Sequence, residues 1–555
     1  MQPKTADEDS KRQRIDARIT ALEEEICALK TQRNELSPIC QLPPEVLSRI
    51  FIHFELQTSL RFHCPANRSW YQITHICRYW RSVALHCPQL WSNICVVSTF
   101  WTELFLSRSK QAPLLLEIGF QVPFAMEPRI HEILVTQMSR LSSLLVSGTT
   151  DMLKMRLHHL PSSAPSLHTL SIENSGFNET MTLPELFVEG TPQLKELRLY
   201  RCYIDWSSPL LQGLSKLNIS VNDDVFYPST HPPPPSPDVF LQALRNMTTL
   251  THLTLQMDFP DINSKPLSNS SIALHHLEEL DLAGSITGVV GFLSHITLPA
   301  SAHIRLVCST TLEDTHMASE LGKVLIPSWL SVSLENPPLT LPSMRYLIVQ
   351  SNYKFCHLLA GFDDTDVQFP HMGQLPPLSV TLIASESPRH TPSPSSLFRS
   401  LPLSNLHIVN LGTVLERSDI EYFSSLPGLK TVLLTGVSPT VQFLDYLRQD
   451  SAFSNLDSPG EHCTCFPNLE SLSIDSYDLM DHLAFSLDDF LQLLILRVEF
   501  NRPIHQLKLV EWANLVPGDV DRIKGIVTDV VWDHHVELNR TGQSDSEFSE
   551  SSLFY

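Results

Sequence analysis

Side chains that could bind a metal ion occur together at few places in this 555-residue sequence. The segment His462-Cys463-Thr464-Cys465 contains three potential ligands, but no second Cys or His pair follows at the spacing of a zinc site. The segment Asp363-Asp364-Thr365-Asp366 resembles part of a calcium-binding loop without its glycine and its distant glutamate. We interpret the first segment as a loop with reduced cysteines and the second as a solvated acidic loop, and we expect no metal site.

Sequence signatures of catalysis are also missing. The chain contains no G-x-x-x-x-G-K-[ST], no G-x-G-x-x-G and no G-x-S-x-G. Three pairs of adjacent histidines are poor metal ligands because neighbouring side chains diverge: His158-His159, His275-His276 and His534-His535. The sequence therefore predicts a protein that is not an enzyme and that uses no cofactor.

The amino-acid composition indicates in which cellular compartment the protein functions and which classes of partner it is expected to bind. The net charge of −21 disfavours binding to the phosphate backbone of DNA or RNA. The 11 cysteines are scattered, which favours a reducing compartment, so we expect a cytoplasmic or nuclear protein, or both. The polar N-terminus has no signal-peptide core and no apolar run reaches 18 residues, so no membrane span is expected.

A heptad pattern begins at Ile15. Apolar residues at alternating spacings of four and three predict a coiled-coil-like helix over residues 15–37, behind a disordered tail at 1–14. The seam consists of Ile15, Ile19, Leu22, Ile26, Leu29 and Leu36, with Arg33 at a further seam position. Two interpretations stay open: the helix packs on its own protein, or it forms a homodimer through residues 15–36.

Two short helices are predicted between residues 38 and 97. The first begins at Leu42-Pro43-Pro44-Glu45, where Pro44 suits the first helical turn, and its apolar stripe is Val46, Leu47, Ile50, Phe51 and Phe54. The second helix runs from about Tyr71 and is closed by Cys87-Pro88, after which Pro88–Trp91 is predicted to be extended. Its stripe is Ile73, Ile76, Cys77, Trp80, Val83 and Ala84. Two helices of this size bury little area, so they need a second surface from the chain or from a partner.

The segments Leu42–Leu47, Ile76–Arg81 and Pro88–Trp91 resemble the F-box motif and are most similar to F-box proteins of mushroom-forming fungi. This resemblance implies binding to a Skp-family adaptor protein, and through it to a cullin. Carried over by position, the residues that it implies at the adaptor are Leu42, Pro43, Leu47, Ile50, Phe51, Ile76, Cys77 and Trp80. The alternative is that residues 40–95 are an ordinary helical cap on a repeat domain.

The chain behind this segment contains eleven L-x-x-L-x-L units, in which a strand points alternate aliphatic side chains inward. They are Leu141-Leu144-Val146, Leu167-Leu170-Ile172, Leu194-Leu197-Leu199, Leu214-Leu217-Ile219, Leu250-Leu253-Leu255, Leu277-Leu280-Leu282, Met344-Leu347-Val349, Leu406-Val409-Leu411, Leu429-Val432-Leu434, Leu469-Leu472-Ile474 and Ile504-Leu507-Leu509. Five of them carry a proline two residues before the first position: Pro165, Pro192, Pro342, Pro427 and Pro467. Ile304-x-Leu306 and Val380-x-Leu382 are candidate further members.

These patterns predict an α/β protein. A short all-α F-box with an N-terminal coiled-coil-like helix precedes an irregular leucine-rich-repeat-like solenoid with parallel strands over residues 98–540, and residues 541–555 form a disordered acidic tail. The expected function is that of a substrate-recognition adaptor subunit of an SCF-type ubiquitin ligase. The repeats would bind an unknown protein target through their concave face or their loops. The alternative is a scaffold outside the ubiquitin system that dimerises through the N-terminal helix.

Overall fold

A computed structural model gives the fold of most of the chain. The residues that it describes are 6–60, 69–176, 179–221, 233–262, 271–311, 314, 316–330, 343–352, 354–363, 376–384, 394–453, 465–479 and 485–534. Among the helices of these ranges, none combines the length and the hydrophobicity that a membrane crossing requires. The predicted tail at 541–555 lies outside them, as do His462, Cys463 and Thr464 of the first candidate metal segment and Asp364–Asp366 of the second.

The chain divides into two compact units. The first consists mainly of Met1–Val221 and the second mainly of Pro232–Tyr555. The region 98–540, predicted as one domain, is therefore shared between the units. A helical N-terminal segment opens the first unit, and each unit contains a large sheet whose strands are mostly parallel.

The helices occur in both units. The α-helices are α1 (Ala6–Glu35), α2 (Pro44–Leu60), α3 (Arg78–His86), α4 (Thr99–Ser109), α5 (Glu127–Gln137), α6 (Thr150–His158), α7 (Pro237–Asn246), α8 (Ile286–Leu293), α9 (Met317–Leu330), α10 (Ser395–Phe398), α11 (Arg417–Ser424), α12 (Val437–Phe453), α13 (Leu487–Glu499) and α14 (Pro517–Lys524). Short 3₁₀ helices lie at Pro38–Gln41, Ser69–His75, Pro88–Trp91, Phe124–Met126, Met138–Arg140 and Pro209–Leu211.

The strands alternate with these helices. They are β1 (Asn93–Cys95), β2 (Leu114–Ile118), β3 (Leu141–Gly148), β4 (Thr169–Asn174), β5 (Met181–Thr182), β6 (Glu196–Tyr200), β7 (Cys202–Tyr203), β8 (Lys216–Ser220), β9 (His252–Gln256), β10 (Ile272–Ala273), β11 (Glu279–Ser285), β12 (Ile296–Thr297), β13 (His303–Thr310), β14 (Tyr346–Ser351), β15 (Phe355–Gly361), β16 (Leu378–Ala384), β17 (Ile408–Gly412), β18 (Thr431–Thr435), β19 (Ser471–Asp478), β20 (Gln506–Ala513) and β21 (Asp529–Trp532).

The first unit contains one sheet of six parallel strands, in the order β1-β2-β3-β4-β6-β8. Its register brings the repeated aliphatic positions side by side in two buried rows. The first row is Ile94, Leu116, Leu144, Leu170, Leu197 and Leu217, and the second is Ile118, Val146, Ile172, Leu199 and Ile219. Because successive residues of a strand point to opposite faces, the residues between these rows lie on the other face of the sheet.

Burial confirms the inward orientation of the repeated positions. In all eleven predicted units, each of the three aliphatic residues is at most 3 % exposed. The first position packs at the end of a turn that leads into the strand, and the other two lie in the strand itself. The spacing L-x-x-L-x-L therefore identifies a turn followed by a strand with one buried face.

Prolines mark the turns before four of these strands. In each turn the N–H of the first leucine donates to the carbonyl three residues earlier, at 3.0–3.4 Å, and proline occupies the second position, for which its fixed φ is suited. The four turns are Ala164–Leu167, Thr191–Leu194, Leu426–Leu429 and Phe466–Leu469. The fifth proline, Pro342, lies outside the described residues.

The large sheet of the second unit contains eleven strands, in the order β9-β11-β13-β16-β15-β14-β17-β18-β19-β20-β21. All are parallel except β15, which pairs antiparallel with both β14 and β16. The sequence predicted parallel strands only. The reversal follows from a tight turn, in which the backbone N–H groups of Lys354 and Phe355 donate to Oδ1 of Asn352 at 2.8 and 2.9 Å. Such a short connection returns the chain antiparallel.

The two candidate further repeat units, Ile304-x-Leu306 and Val380-x-Leu382, differ in how they align with the other strands. Ile304 and Leu306 lie on β13 and pair with Leu280 and Leu282, as expected for a repeat. On β16, however, the residues in register with Ile304 and Leu306 are Leu378 and Val380, not Val380 and Leu382. The predicted register of this unit was wrong by two residues. A shift of two keeps the same face of a strand buried, so the aliphatic pattern alone does not distinguish the two registers.

Helix α1 begins at Ala6 and therefore includes residues 6–14, for which the sequence predicted disorder. Asp9 lies near its start, and a carboxylate is favourable at the positive end of the helix dipole. The segment that follows contains Lys, Arg and Gln, which are good helix formers. The polar composition that suggested a disordered tail is equally compatible with a solvated helix.

The buried rows generate a stability prediction. Replacing Leu217 by Ala removes a side chain that is 1 % exposed, so the change should cost about 2–5 kcal/mol of unfolding free energy, from lost burial and the cavity that is left. The neighbouring Lys216 is exposed, and its replacement by Ala should change stability by less than about 0.5 kcal/mol. Urea unfolding followed by circular dichroism measures both, and equal shifts of the two variants would contradict the assignment of the two faces.

Candidate protein-binding site

The start of α2 is fixed by its prolines. Pro44 occupies the first helical position, and the carbonyl of Pro43 accepts hydrogen bonds from the N–H groups of Val46 and Leu47, both at 3.1 Å. The carbonyl of Leu42 accepts a hydrogen bond of 2.6 Å from the Tyr79 hydroxyl of α3. The Leu-Pro-Pro segment thus sets both the start of α2 and its attachment to α3.

The inner face of α2 packs on the chain itself. Leu47 and Phe51 are at most 1 % exposed, and the Phe51 ring lies 5.2 Å from the Trp80 ring, centroid to centroid. One turn further on, the buried Glu55 accepts a hydrogen bond of 2.9 Å from the side chain of Asn93 at the start of β1. This face connects α2 with α3 and with the edge strand of the first sheet.

The outer face of α2 is also apolar. Val46, Ile50 and Phe54 recur every four residues, which places them in one stripe, and each is 41–43 % exposed. We call these three residues the outer stripe. Water-exposed apolar stripes on a helix that is already packed on its other side are typical of surfaces that bind another protein.

The second predicted helix is divided in two. A 3₁₀ helix covers Ser69–His75, and α3 begins only at Arg78, so the prediction of one helix from Tyr71 was wrong. Cys77 between them has an extended backbone, with φ −156° and ψ 168°, and its sulfur accepts a hydrogen bond of 3.4 Å from the Trp80 N–H. Cys77 is therefore the N-cap of α3, and Ile76 before it is 57 % exposed.

A second thiol lies beside this cap. Cys40, at the end of the 3₁₀ helix Pro38–Gln41, is a neighbour of Cys77, and both residues are half-buried. Burial raises the pKa of the Cys40 thiol, and the Cys77 thiol adds to the rise. Both effects favour the neutral thiol, so this pair serves as packing between the segment before α2 and the start of α3.

An aromatic cluster joins these helices to the first sheet. The Trp91 ring lies 5.1 Å from both the Trp70 ring and the Phe105 ring, and the Arg108 guanidinium lies 4.3 Å above it. The Trp91 indole N–H donates to the carbonyl of Ala84 at 2.8 Å. Pro88–Trp91 forms a 3₁₀ helix, so the predicted extended conformation was wrong. The turn is needed to direct Trp91 into the cluster immediately before β1.

The helical segment 38–97 also contributes the edge strand β1 to the sheet of the first unit. Strand β1 pairs in parallel with β2, and hydrogen bonds of 2.9 and 3.0 Å join Val96 to Glu117 and Leu115 to Ser92. The predicted boundary between the helical segment 38–97 and the repeat region 98–540 therefore lies just after β1, a strand that belongs to the first sheet.

The eight residues predicted at the adaptor fall into three groups. Leu47 and Phe51 are buried, Leu42, Cys77 and Trp80 are half-buried, and Pro43, Ile50 and Ile76 are exposed. The sequence interpretation placed Val46 and Phe54 on the apolar stripe but did not name them as site residues. Their spacing of four from Ile50 is the signal that could have identified them.

Residues 39–97 match the F-box-like family. The F-box-like domain therefore contains the helices α2 and α3, the aromatic residues Trp70, Trp80 and Trp91, and the strand β1. F-box domains generally bind Skp-family adaptors, and the match supports a role as an adaptor in ubiquitin ligation in general terms. A search of the curated proteins finds no match to the chain.

Within the described residues, no group of three or more His, Cys, Asp or Glu side chains could bind a metal ion. The rings of His158 and His159 lie 5.6 Å apart, and His131 lies 4.6 Å from His159, so these rings pack on each other.

The two faces of α2 predict opposite responses to truncation. Changing Phe51 to Ala should cost about 3–5 kcal/mol of unfolding free energy, because a fully buried ring and its contact with Trp80 are lost. Changing Ile50 to Ala should cost less than about 1 kcal/mol, since the side chain is 43 % exposed. Thermal melts of the two full-length variants test this, and an Ile50 variant as unstable as the Phe51 variant would show that the outer stripe is internal packing.

Proposed function

We propose that this chain is the substrate-recognition adaptor subunit of an SCF-type ubiquitin ligase, in which the F-box-like domain binds a Skp-family adaptor and thereby a cullin. The observation that carries the proposal is the outer stripe, which lies within the matched residues and remains 41–43 % exposed to water. An exposed apolar stripe on a helix already packed on its other face needs a foreign surface.

The predicted adaptor residues take different parts in this contact. The adaptor touches the outer stripe, which includes Ile50, together with Pro43 and Ile76, because all of these residues are exposed. The buried Leu47 and Phe51 position α2 through their packing on the chain. The half-buried Leu42, Cys77 and Trp80 both position the helices and contact the adaptor. Burying a fully exposed Val, Ile or Phe side chain contributes about 1.5–3 kcal/mol. The outer-stripe side chains are 41–43 % exposed, so covering each of them adds about 0.6–1.3 kcal/mol, and the exposed neighbours add to this sum.

The role of the chain in ubiquitin transfer is proximity. A bound target is held near a ubiquitin thioester carried by other subunits, which raises the effective concentration of its lysines. No side chain of this protein takes part in the chemical step, so we propose that the protein is not itself an enzyme. This role is compatible with the cytoplasm and the nucleus, where we place the protein.

The sheets supply the target-binding part of the proposal. We assign the repeated units to an irregular leucine-rich-repeat-like solenoid, which agrees with the shared L-x-x-L-x-L turns and strands and with the parallel register within each unit. The inserted hairpin of β14 and β15 makes the array irregular. Repeat arrays of this kind bind proteins through the outward side chains of their strands.

One outward row of the second sheet has the composition of a binding surface. Its centre is half-buried and mostly apolar, with Asp281 and Arg305 on one side and Lys508 on the other. Between Thr254 of β9 and Val531 of β21 the row is, in spatial order, Asp281, Arg305, Ser379, Leu359, Ile348, Asn410, Leu433, Ser473 and Lys508, and we call these nine residues the outward row. An apolar centre with a polar rim is the usual arrangement of a protein interface.

The charged end of the outward row is partly removed from water. The Arg305 guanidinium lies 3.7 Å from the Asp281 carboxylate, and burial raises the pKa of Asp281 despite this cation. Burial also lowers the pKa of His357, which is hydrogen-bonded to Ser379 at 3.2 Å. The lowered pKa keeps His357 neutral, so the charges at this end are those of Asp281 and Arg305. The partly buried Asp281 carboxylate interacts with a complementary charge more strongly than a fully solvated carboxylate does.

A structural role without ubiquitin is the second candidate, and one observation favours it. Strand β1 and the aromatic cluster make the F-box-like domain a cap on the first sheet. In this alternative the chain is a scaffold that dimerises through residues 15–36, and the outer stripe has no adaptor. The homodimer itself is compatible with both candidates.

Binding of the adaptor is tested by changing Ile50 to Asp. The charge prevents burial of the outer stripe, so the affinity of the full chain for a purified Skp-family adaptor should fall at least about 100-fold. Isothermal titration or co-purification measures the loss. The matched control is Ile495→Asp on α13, because Ile495 is 44 % exposed and Ile50 is 43 % exposed.

Two results would contradict the adaptor proposal. One is the absence of any adaptor binding by the unmodified, folded chain. The other is an equal loss of binding in the Ile50 and Ile495 variants. Thermal melts of both variants check that the fold is kept.

Capture of the target is tested by changing Leu433 to Asp at the centre of the outward row. Affinity capture with quantitative mass spectrometry should show loss of a common set of proteins that is retained by Ile495→Asp. The Skp-family adaptor should be retained by the Leu433 variant, because the change lies in the other unit. Identical sets of captured proteins in all variants would remove the outward row as the binding surface.

A further inference from the structure

Helix α1 carries an apolar seam that the described chain leaves open to water. The seam residues are 41–79 % exposed: Ile15, Ile19, Leu22, Ile26, Leu29 and, just after the helix, Leu36. They lie at spacings of four and three, so they form one continuous stripe along the helix. An exposed stripe with this period is shaped for another helix with the same period.

The types of residue in the seam bear on the number of helices. In heptad notation, Arg12, Ile19, Ile26 and Arg33 occupy a positions, and Ile15, Leu22, Leu29 and Leu36 occupy d positions. In a parallel arrangement, β-branched residues at a with leucine at d favour two strands. The polar a positions fix the register at a cost in stability.

The residues beside the seam select the partner. In a parallel pair, each g residue faces the e residue five positions later on the other helix. Arg18 would then face Glu23 of the second copy, and Glu25 would face Lys30 of the second copy. Lys11 and Asp16 make a third pair of opposite charges, so every charged g residue from 11 to 25 meets its complement.

We propose that α1 pairs in parallel and in register with α1 of a second copy of this chain, held by the seam and by the pairs Arg18–Glu23 and Glu25–Lys30. A dimer of this kind places two F-box-like domains and two target-binding regions in one particle. The proposal goes beyond the adaptor function and depends on α1 alone.

The opposite direction gives a poorer match of charges. In an antiparallel pair, g faces g and e faces e. Its best register sets Arg18 against Glu25 and Glu23 against Lys30, and each pair occurs twice, which gives four contacts of opposite charge between the copies. The parallel pair has its three pairs twice, which gives six such contacts, although Arg12 and Arg33 each face their own copy at an a position.

Charge exchange in the full chain tests both the dimer and its direction. Glu25→Lys alone and Lys30→Glu alone each replace two symmetry-related attractive pairs by repulsive ones, so the dissociation constant should rise about tenfold. The double variant restores opposite charges in a parallel dimer, and its dissociation constant should return to within about twofold of the original. Sedimentation equilibrium at low salt, starting from a monomer of 62.7 kDa, measures the three constants.

Two outcomes would overturn the proposal. If the unmodified chain stays at the monomer mass at every concentration, the seam is not covered by a second copy and belongs to a different helix. If the double variant is weaker than either single variant, the helices run antiparallel, because the exchanged residues would then face Arg18 and Glu23 with like charge. The Ile50→Asp variant should keep the dimer, so a failure of the adaptor proposal leaves this result unaffected.

Discussion

The burial of aliphatic rows between the sheets and their helices is the constraint on which the rest of this structure depends. Each strand contributes two inward side chains, and the register of the parallel strands stacks them on the equivalent residues of the next strand. The inward positions are thereby restricted to aliphatic residues, whereas the outward positions are free to vary. Recognition can therefore change through the outward residues without disturbing the core. The hairpin of β14 and β15 is tolerated because its inward residues continue both rows.

The sequence predicted those parts of the fold that depend on local spacing. Leu167, Leu170 and Ile172 identify a turn and a strand because all three must be buried within a few residues of chain. Pairing between distant strands has no comparable local signal. The place of β16 beside β13 joins residues more than seventy positions apart, and its register differs from the predicted one by two residues that share a face. The antiparallel β15 depends on one asparagine turn, which a search for parallel repeats did not include.

The sequence predicted most residues of the candidate site, but it did not separate the inner face of α2 from its outer face. An α2 stripe that contains Val46, Leu47, Ile50 and Phe51 is apolar on both sides, and spacing alone does not tell which side meets the chain. The structure separates them, because Phe51 packs on Trp80 whereas Ile50 has no such cover. The break at Cys77 was missed because cysteine is an uncommon N-cap and the apolar stripe continues across it. The aromatic cluster holds α3 through the Trp91 indole, which donates a hydrogen bond to the carbonyl of Ala84.

The pairing of β1 with β2 determines where the chain can be cut into separate parts. The F-box-like domain ends in a strand, and that strand protects the backbone donors and acceptors of β2 on one side. A chain cut between residues 97 and 98 would expose an open sheet edge, which is a template for aggregation. It would also lose Trp70 and Trp91 from beside Phe105. The helical module and the first sheet consequently form one packed structure, and transfer of this module to another protein requires a strand that pairs with β1.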